Sequence, residues 1–303
     1  MIHILWFILS FIGLCKAADY FVDSAHALAL HLRFPPVLIG ATIVAFGTSA
    51  PELFVTGFGA YLRQPDVIYG NILGSNIANI LLILGIAMAM APLSFSRGVQ
   101  QQARVNLIVT IGYACILLMV PVNRPIAIIL LGLFFVYQMY QINTTPSTVD
   151  DPPSSSKGRA TQLFFISLIG LIISSKILVM EVEIMANLLG VSTAFVSLFA
   201  VAFGTSLPEL MTTIKFIQRG HTDIVIGNVF GSNLFNLAFV LPAAWCVRPL
   251  PFITHYATEC GLIVALTTTI LIGTIAQKQS QRWMGWIFLS GYIIYIGLTY
   301  TMT

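Results

Sequence analysis

"AFGTSAPEL", residues 45–53, decides how this chain is read, because it sets a proline and a glutamate inside a long apolar run. The string returns as "AFGTSLPEL" at residues 202–210. Only 8% of the 303 residues are charged, so a carboxylate kept at two equivalent apolar places points to a task. Taken as a helix, Ala45, Thr48 or Ser49, and Glu52 fall on one face. Pro51 has no N–H to give the carbonyl of Gly47, and its ring pushes that turn open. In a bilayer such a broken turn is tolerated where it faces a cavity or a bound ion. The second copy repeats the set with Ala202, Gly204, Thr205, Ser206, Pro208 and Glu209.

The rest of the chain supplies the bilayer. It is 57% hydrophobic, with a mean hydropathy of +0.92. A soluble domain carries roughly a quarter charged residues. Apolar runs of about 18–28 residues are long enough to cross a ~30 Å hydrocarbon core as helices. A transmembrane barrel would read as short alternating segments, and none are present. The fold expected is an all-α polytopic membrane protein. The predicted spans are 2–29, 36–61, 66–91, 104–121, 124–142, 161–189, 192–217, 222–246, 257–276 and 283–301. The N-terminal run lacks a Lys/Arg n-region and stays apolar past any cleavage site, so it reads as the first span and not as a signal peptide. Cys15, Cys115, Cys246 and Cys260 show no CxxC spacing and read as packing thiols.

Residues 143–159, "NTTPSTVDDPPSSSKGR", form a Ser-, Thr- and Pro-rich linker too short for a folded sensing domain. The linker, taken as 143–160, divides the chain into five-helix halves at 1–142 and 161–303. Residues 41–79 align without a gap on 198–236, with 17 identities in 39 positions. An odd number of spans per half makes the second copy enter the membrane from the opposite side. Such inverted repeats are a common architecture of secondary transporters. With the N-terminus outside, the inner side receives Arg33, Arg97, Arg104, Lys157, Arg159, Lys215, Arg219, Lys278 and Arg282, and the outer side Arg63, Arg124 and Arg248. The positive-inside rule then sets both termini outside and the linker in the cytoplasm, in the cell membrane of a bacterium. The basic residues are scattered, the net charge is +3, and no stripe suggests nucleic acid.

A second motif follows each first one, "GNILGSNIAN" at 70–79 and "GNVFGSNLFN" at 227–236. Ser75 and Asn79, like Ser232 and Asn236, stand at i and i+4 on one helical face. Gly70, Gly74, Gly227 and Gly231 allow helices to approach closely. The inventory is two carboxylates, hydroxyls, amide oxygens and freed carbonyls, an all-oxygen set suited to Ca²⁺, which takes 6–8 oxygens. Na⁺ accepts similar oxygens, whereas zinc or copper would want His or Cys. Two negative charges match one Ca²⁺. A glutamate at mid-membrane costs about 2.5–3.5 kcal/mol on insertion scales, which makes helix packing alone a poor reason to keep two of them.

These four motifs closely resemble the two repeat motifs of the sodium/calcium exchanger family of cation/Ca²⁺ exchangers, here at 40–80 and 197–237. "KAADYFVDSAHALA" and "SKILVMEVEIMANLLGVS" look like that family's first and sixth helices. The resemblance implies ten helices in two inverted five-helix repeats and alternating access by sliding of helices 1 and 6. It implies Glu52 and Glu209 as the bridging carboxylates. Ala45, Thr48, Ser49, Ala202, Thr205 and Ser206 would supply backbone or hydroxyl oxygens, and Ser75, Ser232, Asn79 and Asn236 would complete the cluster. Pro51, Pro208, Gly47 and Gly204 would support the helix breaks. Asn236 stands where some members carry an aspartate, which leaves one fewer titratable group. The proton-coupled branch typically lacks the "GTSxPE" string, which also favours sodium.

The function expected is Ca²⁺/Na⁺ antiport by a single chain, with the ions as cargo, no cofactor and no enzymatic activity. The alternatives are K⁺-dependent or Ca²⁺/H⁺ coupling, or an ion channel using the same glutamates as a filter. A Ser–Lys hydrolase on Ser49 or Ser206 would need a lysine within reach, and the sequence places none there. Lys16 and Lys176 read as snorkelling side chains. Asp19, Glu181 and the five histidines lie near span ends and receive no role.

Overall fold

The computed structural model describes residues 2–32, 36–144, 155–188 and 204–302. Among the described residues the long apolar runs are helical, because a chain in hydrocarbon must satisfy its backbone groups within each segment. Seven helices among the described residues are long and apolar enough to cross a membrane, and a bent pair, Gly40–Thr48 with Ala50–Tyr61, makes an eighth. Arg282–Met302 supplies the last predicted span. Leu207–Gln218 supplies the described half of the span predicted at 192–217, of which 192–203 lies outside the described residues. These elements make up the ten spans.

Pro65–Met90 and Ile224–Val247 are the two central helices, 78% and 94% buried over their membrane windows, whereas the other long helices are no more than a third buried. The outer helices turn residues such as Ile108, Met119, Val136 and Ile293 outward, as a lipid-facing surface requires.

The first helix, Ile2–Leu32, packs along Lys157–Leu188. Small residues set that contact. A Cβ on Gly13 would stand 2.9 Å from Ser174 Oγ, and one on Gly170 3.2 Å from the Ala17 Cβ. In both helices the small residues recur at i and i+4, the usual geometry for close helix approach in membranes. Phe21 and Phe164 pack beside it with centroids 4.8 Å apart. Closer still is the approach of the second span to the central helix. A Cβ on Gly231 would lie 2.4 Å from Ala41 Cα, and one on Gly40 2.2 Å from the Ile224 carbonyl oxygen, so backbone meets backbone there. Of the other motif glycines, Gly70 faces only the hydroxyl of Tyr256.

Helices extend into both ends of the predicted linker, to Thr144 and from Lys157. Ser156 explains the second start: its carbonyl and hydroxyl accept the N–H groups of Ala160 and Arg159, as an N-cap serine does. The sequence did not disclose three π-helical stretches, Gly40–Val44, Asn79–Leu84 and Asn236–Val240. Two of them begin at the equivalent asparagines of the two repeats. Such widened turns are frequent at functional sites.

Candidate cation-binding site

The first "GTSxPEL" motif folds as a break between two helices, and the second shows the same turn where Leu207–Gln218 begins. Ser49 leaves helical geometry at φ −85°, ψ 12°, and Ser206 at φ −86°, ψ 2°. The proline two residues on sits in the first turn of the next helix, where its missing N–H costs nothing. At the first break the axis turns by 54°. Gly47 faces Phe21 of the first helix and Leu168 of Lys157–Leu188, with 3.2 Å from a Cβ to the Phe21 ring. Gly204 is half-buried. Ala45 is buried and its carbonyl accepts the Ser49 N–H at 3.0 Å. Ala202 lies outside the described residues.

Both glutamates are enclosed, Glu52 at 0% and Glu209 at 1% exposure. Hydroxyls of each first motif serve the glutamate of the opposite repeat. Ser49 Oγ donates to Glu209 Oε1 at 2.9 Å, and Thr48 faces the same carboxylate while donating to the Val44 carbonyl. Thr205 and Ser75 face Glu52 without closing a hydrogen bond to either of its oxygens. Ser75 and Thr205 hydroxyls are 3.3 Å apart. The reading that Thr48 or Ser49 shares a helix face with its own Glu52 is therefore corrected. The bend at Ser49 breaks the helical register, and the hydroxyls turn across the interface. Of the predicted residues, Ser49 and Thr48 meet Glu209, and Thr205 and Ser75 meet Glu52, with three of the four hydroxyls crossing between repeats.

Asn79 and Asn236, predicted as ligands, are 1% and 0% exposed. Their amide nitrogens are engaged, Asn79 Nδ2 with Asn233 Oδ1 at 3.0 Å and Asn236 Nδ2 with Asn76 Oδ1 at 3.1 Å. Their amide oxygens have no hydrogen-bond partner, and the same holds for both Glu52 oxygens, Glu209 Oε2, Ser206 Oγ and Ser232 Oγ. A set of buried oxygens without donors is unusual, since buried polar groups are ordinarily paired. All of them are acceptors or hydroxyls that can turn a lone pair inward, which is what an oxygen-liganded cation takes. Among the described residues no group of three or more His, Cys, Asp and Glu could hold a metal. The donor set here is two carboxylates with hydroxyl and amide oxygens, suited to a hard cation.

Residues outside the predicted set also belong here. Asn71 Nδ2 donates to Thr56 Oγ1 at 2.8 Å and to the Glu52 carbonyl at 3.3 Å, and Asn71 Oδ1 accepts from Thr205 at 3.3 Å. Their signal in the sequence was identity at equivalent repeat positions: Asn71 with Asn228, Asn76 with Asn233, Thr56 with Thr213. Asp19 also has a partner, Lys215 at 3.0 Å. Asp23 pairs with Arg219 at 3.0 Å, and His3 with Glu181 at 2.8 Å. Lys16 and Lys176 are both exposed, and neither joins an ion pair among the described residues.

Comparison with known proteins converges on one family. A profile described as sodium/calcium exchanger protein matches residues 2–143 and 159–301. The membrane protein MJ0091 of Methanocaldococcus jannaschii is 30% identical over 295 residues, which are 96% of this chain and 96% of that protein. The inner membrane protein YrbG of Escherichia coli is 29% identical, with 95% of this chain and 93% of that protein covered. Among solved structures, the sodium-calcium exchanger NCX_Mj soaked with zero Na⁺ and Ca²⁺ has a TM-score of 0.88 at 29% identity, over 98% of this chain and 99% of that one. The fold is accordingly the all-α polytopic one of ten helices in two inverted repeats of five.

Proposed function

The chain belongs to the sodium/calcium exchanger protein family, whose members are secondary active antiporters of Na⁺ and Ca²⁺, and we propose that Glu52 and Glu209 are the carboxylates that hold its ions. The observation that carries this is their burial at 0% and 1% at equivalent motif positions, Glu209 faced by Thr48 and Ser49 of the other repeat and Glu52 by Thr205 of the other repeat and Ser75 of its own. Two enclosed carboxylates would strongly disfavour ionising together. One Ca²⁺ neutralises both. Na⁺ ions that replace it bring the same kind of bond and a different total charge, so the site itself couples the two cargoes.

The ligand set we propose is Glu52, Glu209, Thr48, Ser49, Thr205, Ser206, Ser75, Ser232, Asn79 and Asn236, with the carbonyls of Ala45 and Ala202. The halves 1–142 and 161–303 each contribute one motif pair. Alternating access would come from movement of Ile2–Leu32 together with Lys157–Leu188, supported by the smooth contact at Gly13, Ala17, Gly170 and Ser174. The chain is a multi-pass membrane protein. We place it in a bacterial inner membrane, like the relative YrbG, with termini outside and the linker in the cytoplasm, supported by the basic residues of the inner loops.

The test is radioactive Ca²⁺ uptake into Na⁺-loaded proteoliposomes, with and without an outward Na⁺ gradient. Uptake that needs both the gradient and Glu52 is the expected result. Full transport by Glu52→Gln would refute the site, and uptake driven only by a pH gradient would replace sodium with protons as the coupling ion.

A further inference from the structure

The two asparagines that follow the motif serines, Asn76 and Asn233, form a closed set of hydrogen bonds about the meeting point of the central helices. Asn79 Nδ2 donates to Asn233 Oδ1 at 3.0 Å, and Asn236 Nδ2 donates to Asn76 Oδ1 at 3.1 Å. Asn76 Nδ2 in turn donates to the Asn233 carbonyl, and Asn233 Nδ2 to the Asn76 carbonyl, both at 3.4 Å. The four bonds form two symmetric pairs, one from each repeat. All four side chains are 0–1% exposed. Each clasp carbonyl also accepts the backbone N–H three residues on, that of Asn79 or Asn236, at the start of a π-helical stretch. The clasp is therefore anchored to the same turn whose first residue carries the ligand amide.

An asparagine amide has two ends of nearly equal shape and opposite sense, one an acceptor and one a donor. Only the oxygen can meet a cation. In water the group turns freely, whereas in a buried site something must fix it. We propose that Asn76 and Asn233 are positioning residues that set the Asn236 and Asn79 amides with nitrogen toward the clasp and oxygen toward the ions. This rests on the exchanger reading above, in which Asn79 and Asn236 touch cargo. The unpartnered state of Asn79 Oδ1 and Asn236 Oδ1 supports it, since each clasp amide nitrogen donates to another group and to neither of these oxygens. The clasp acts on binding and not on the passage between states, since it joins only the two central helices.

A carboxylate presents an oxygen at either end, so an aspartate at 236 has no orientation to lose. The test is a cycle between Asn76→Leu and Asn236→Asp, read as Ca²⁺ half-saturation and maximal rate of Na⁺-driven exchange. Asn76→Leu alone should raise half-saturation about ten-fold, the size of one charge-assisted interaction, with the maximal rate within about two-fold. In the Asn236→Asp background the same change should cost nothing, because it also removes an oxygen facing the new carboxylate. Asn76→Ser, polar and too short to reach residue 236, is the second variant if leucine leaves the protein unfolded. Equal losses in both backgrounds would make Asn76 a packing residue and overturn the proposal, as would no loss in the Asn236 background. Should the unaltered protein show no Na⁺-driven exchange, the earlier reading fails separately, and the cycle is read from calorimetric Ca²⁺ binding to the same proteins. Absence of Ca²⁺ binding there overturns the positioning role as well.

Discussion

The two halves of the site carry the same residues and do not make the same bonds. Asn71 is tied to Thr56 Oγ1 and to the Glu52 carbonyl. Its counterpart Asn228 leaves both amide atoms without a partner, and so does the Thr213 hydroxyl, counterpart of Thr56. The Glu209 carbonyl accepts from Thr212 instead. Among the carboxylates the asymmetry runs the other way, with Glu209 holding Ser49 and Glu52 holding no hydrogen bond. Equal residues at these positions with unequal bonding indicate that the difference lies in how each half is held and not in the motif residues themselves. An inverted pair that opens the site alternately to two sides has this property: in either open state its halves are unlike.

The largest effect expected is at the carboxylates. Glu52→Gln and Glu209→Gln should each lower Ca²⁺ affinity about a hundred-fold or more, since affinity follows the charge of the ligand set, as measured by uptake and calorimetry. A large loss in one and a small loss in the other would break the equivalence of the halves. Next in size is the glycine contrast. Gly231→Ala puts a Cβ 2.4 Å from Ala41 Cα, backbone that cannot swing aside, and should destabilise the protein by about 1–3 kcal/mol. Gly70→Ala meets only the Tyr256 hydroxyl at 3.0 Å and should cost under about 0.5 kcal/mol in thermal unfolding. The smallest is between the paired asparagines. Asn71→Ala leaves Thr56 and the Glu52 carbonyl without their donor and should cost about 1–3 kcal/mol. Asn228→Ala removes no such bond and should cost less. Equal losses would show that Asn228 holds partners of its own in the resting protein.

Much of the site was legible in the sequence because the motifs carry their own punctuation. Pro51 and Pro208 mark where the helices break, and Glu52 and Glu209 stand out in a chain so poor in charge. The partners of the hydroxyls were not legible. Spacing fixes which residues share a turn, but not which helix that turn will face. Ser49 bonds a glutamate 160 positions away, and no local pattern encodes that. The π-helical stretches at Asn79 and Asn236 escaped as well, since no residue pattern in either string marks a widened turn. Asn76 and Asn233 were visible in both strings but sit off the face that Ser75 and Asn79 define. Only the structure shows that this second face meets its own copy.

The ion pairs of the first helix divide it between two bodies. His3 holds it to Lys157–Leu188 through Glu181, at 2.8 Å. Asp19 and Asp23 hold it to Leu207–Gln218 through Lys215 and Arg219, each at 3.0 Å. If the two long helices move as one, as proposed above, the first tie would travel with them and the other two would part. Departure from this state then separates opposite charges that are only partly shielded, whereas return brings them together. Salt screens such charges over about 10 Å at 0.1 M, so on that proposal it should hasten departure from this state and slow or spare the return. On that proposal ionic strength would influence which of the two half-reactions limits turnover.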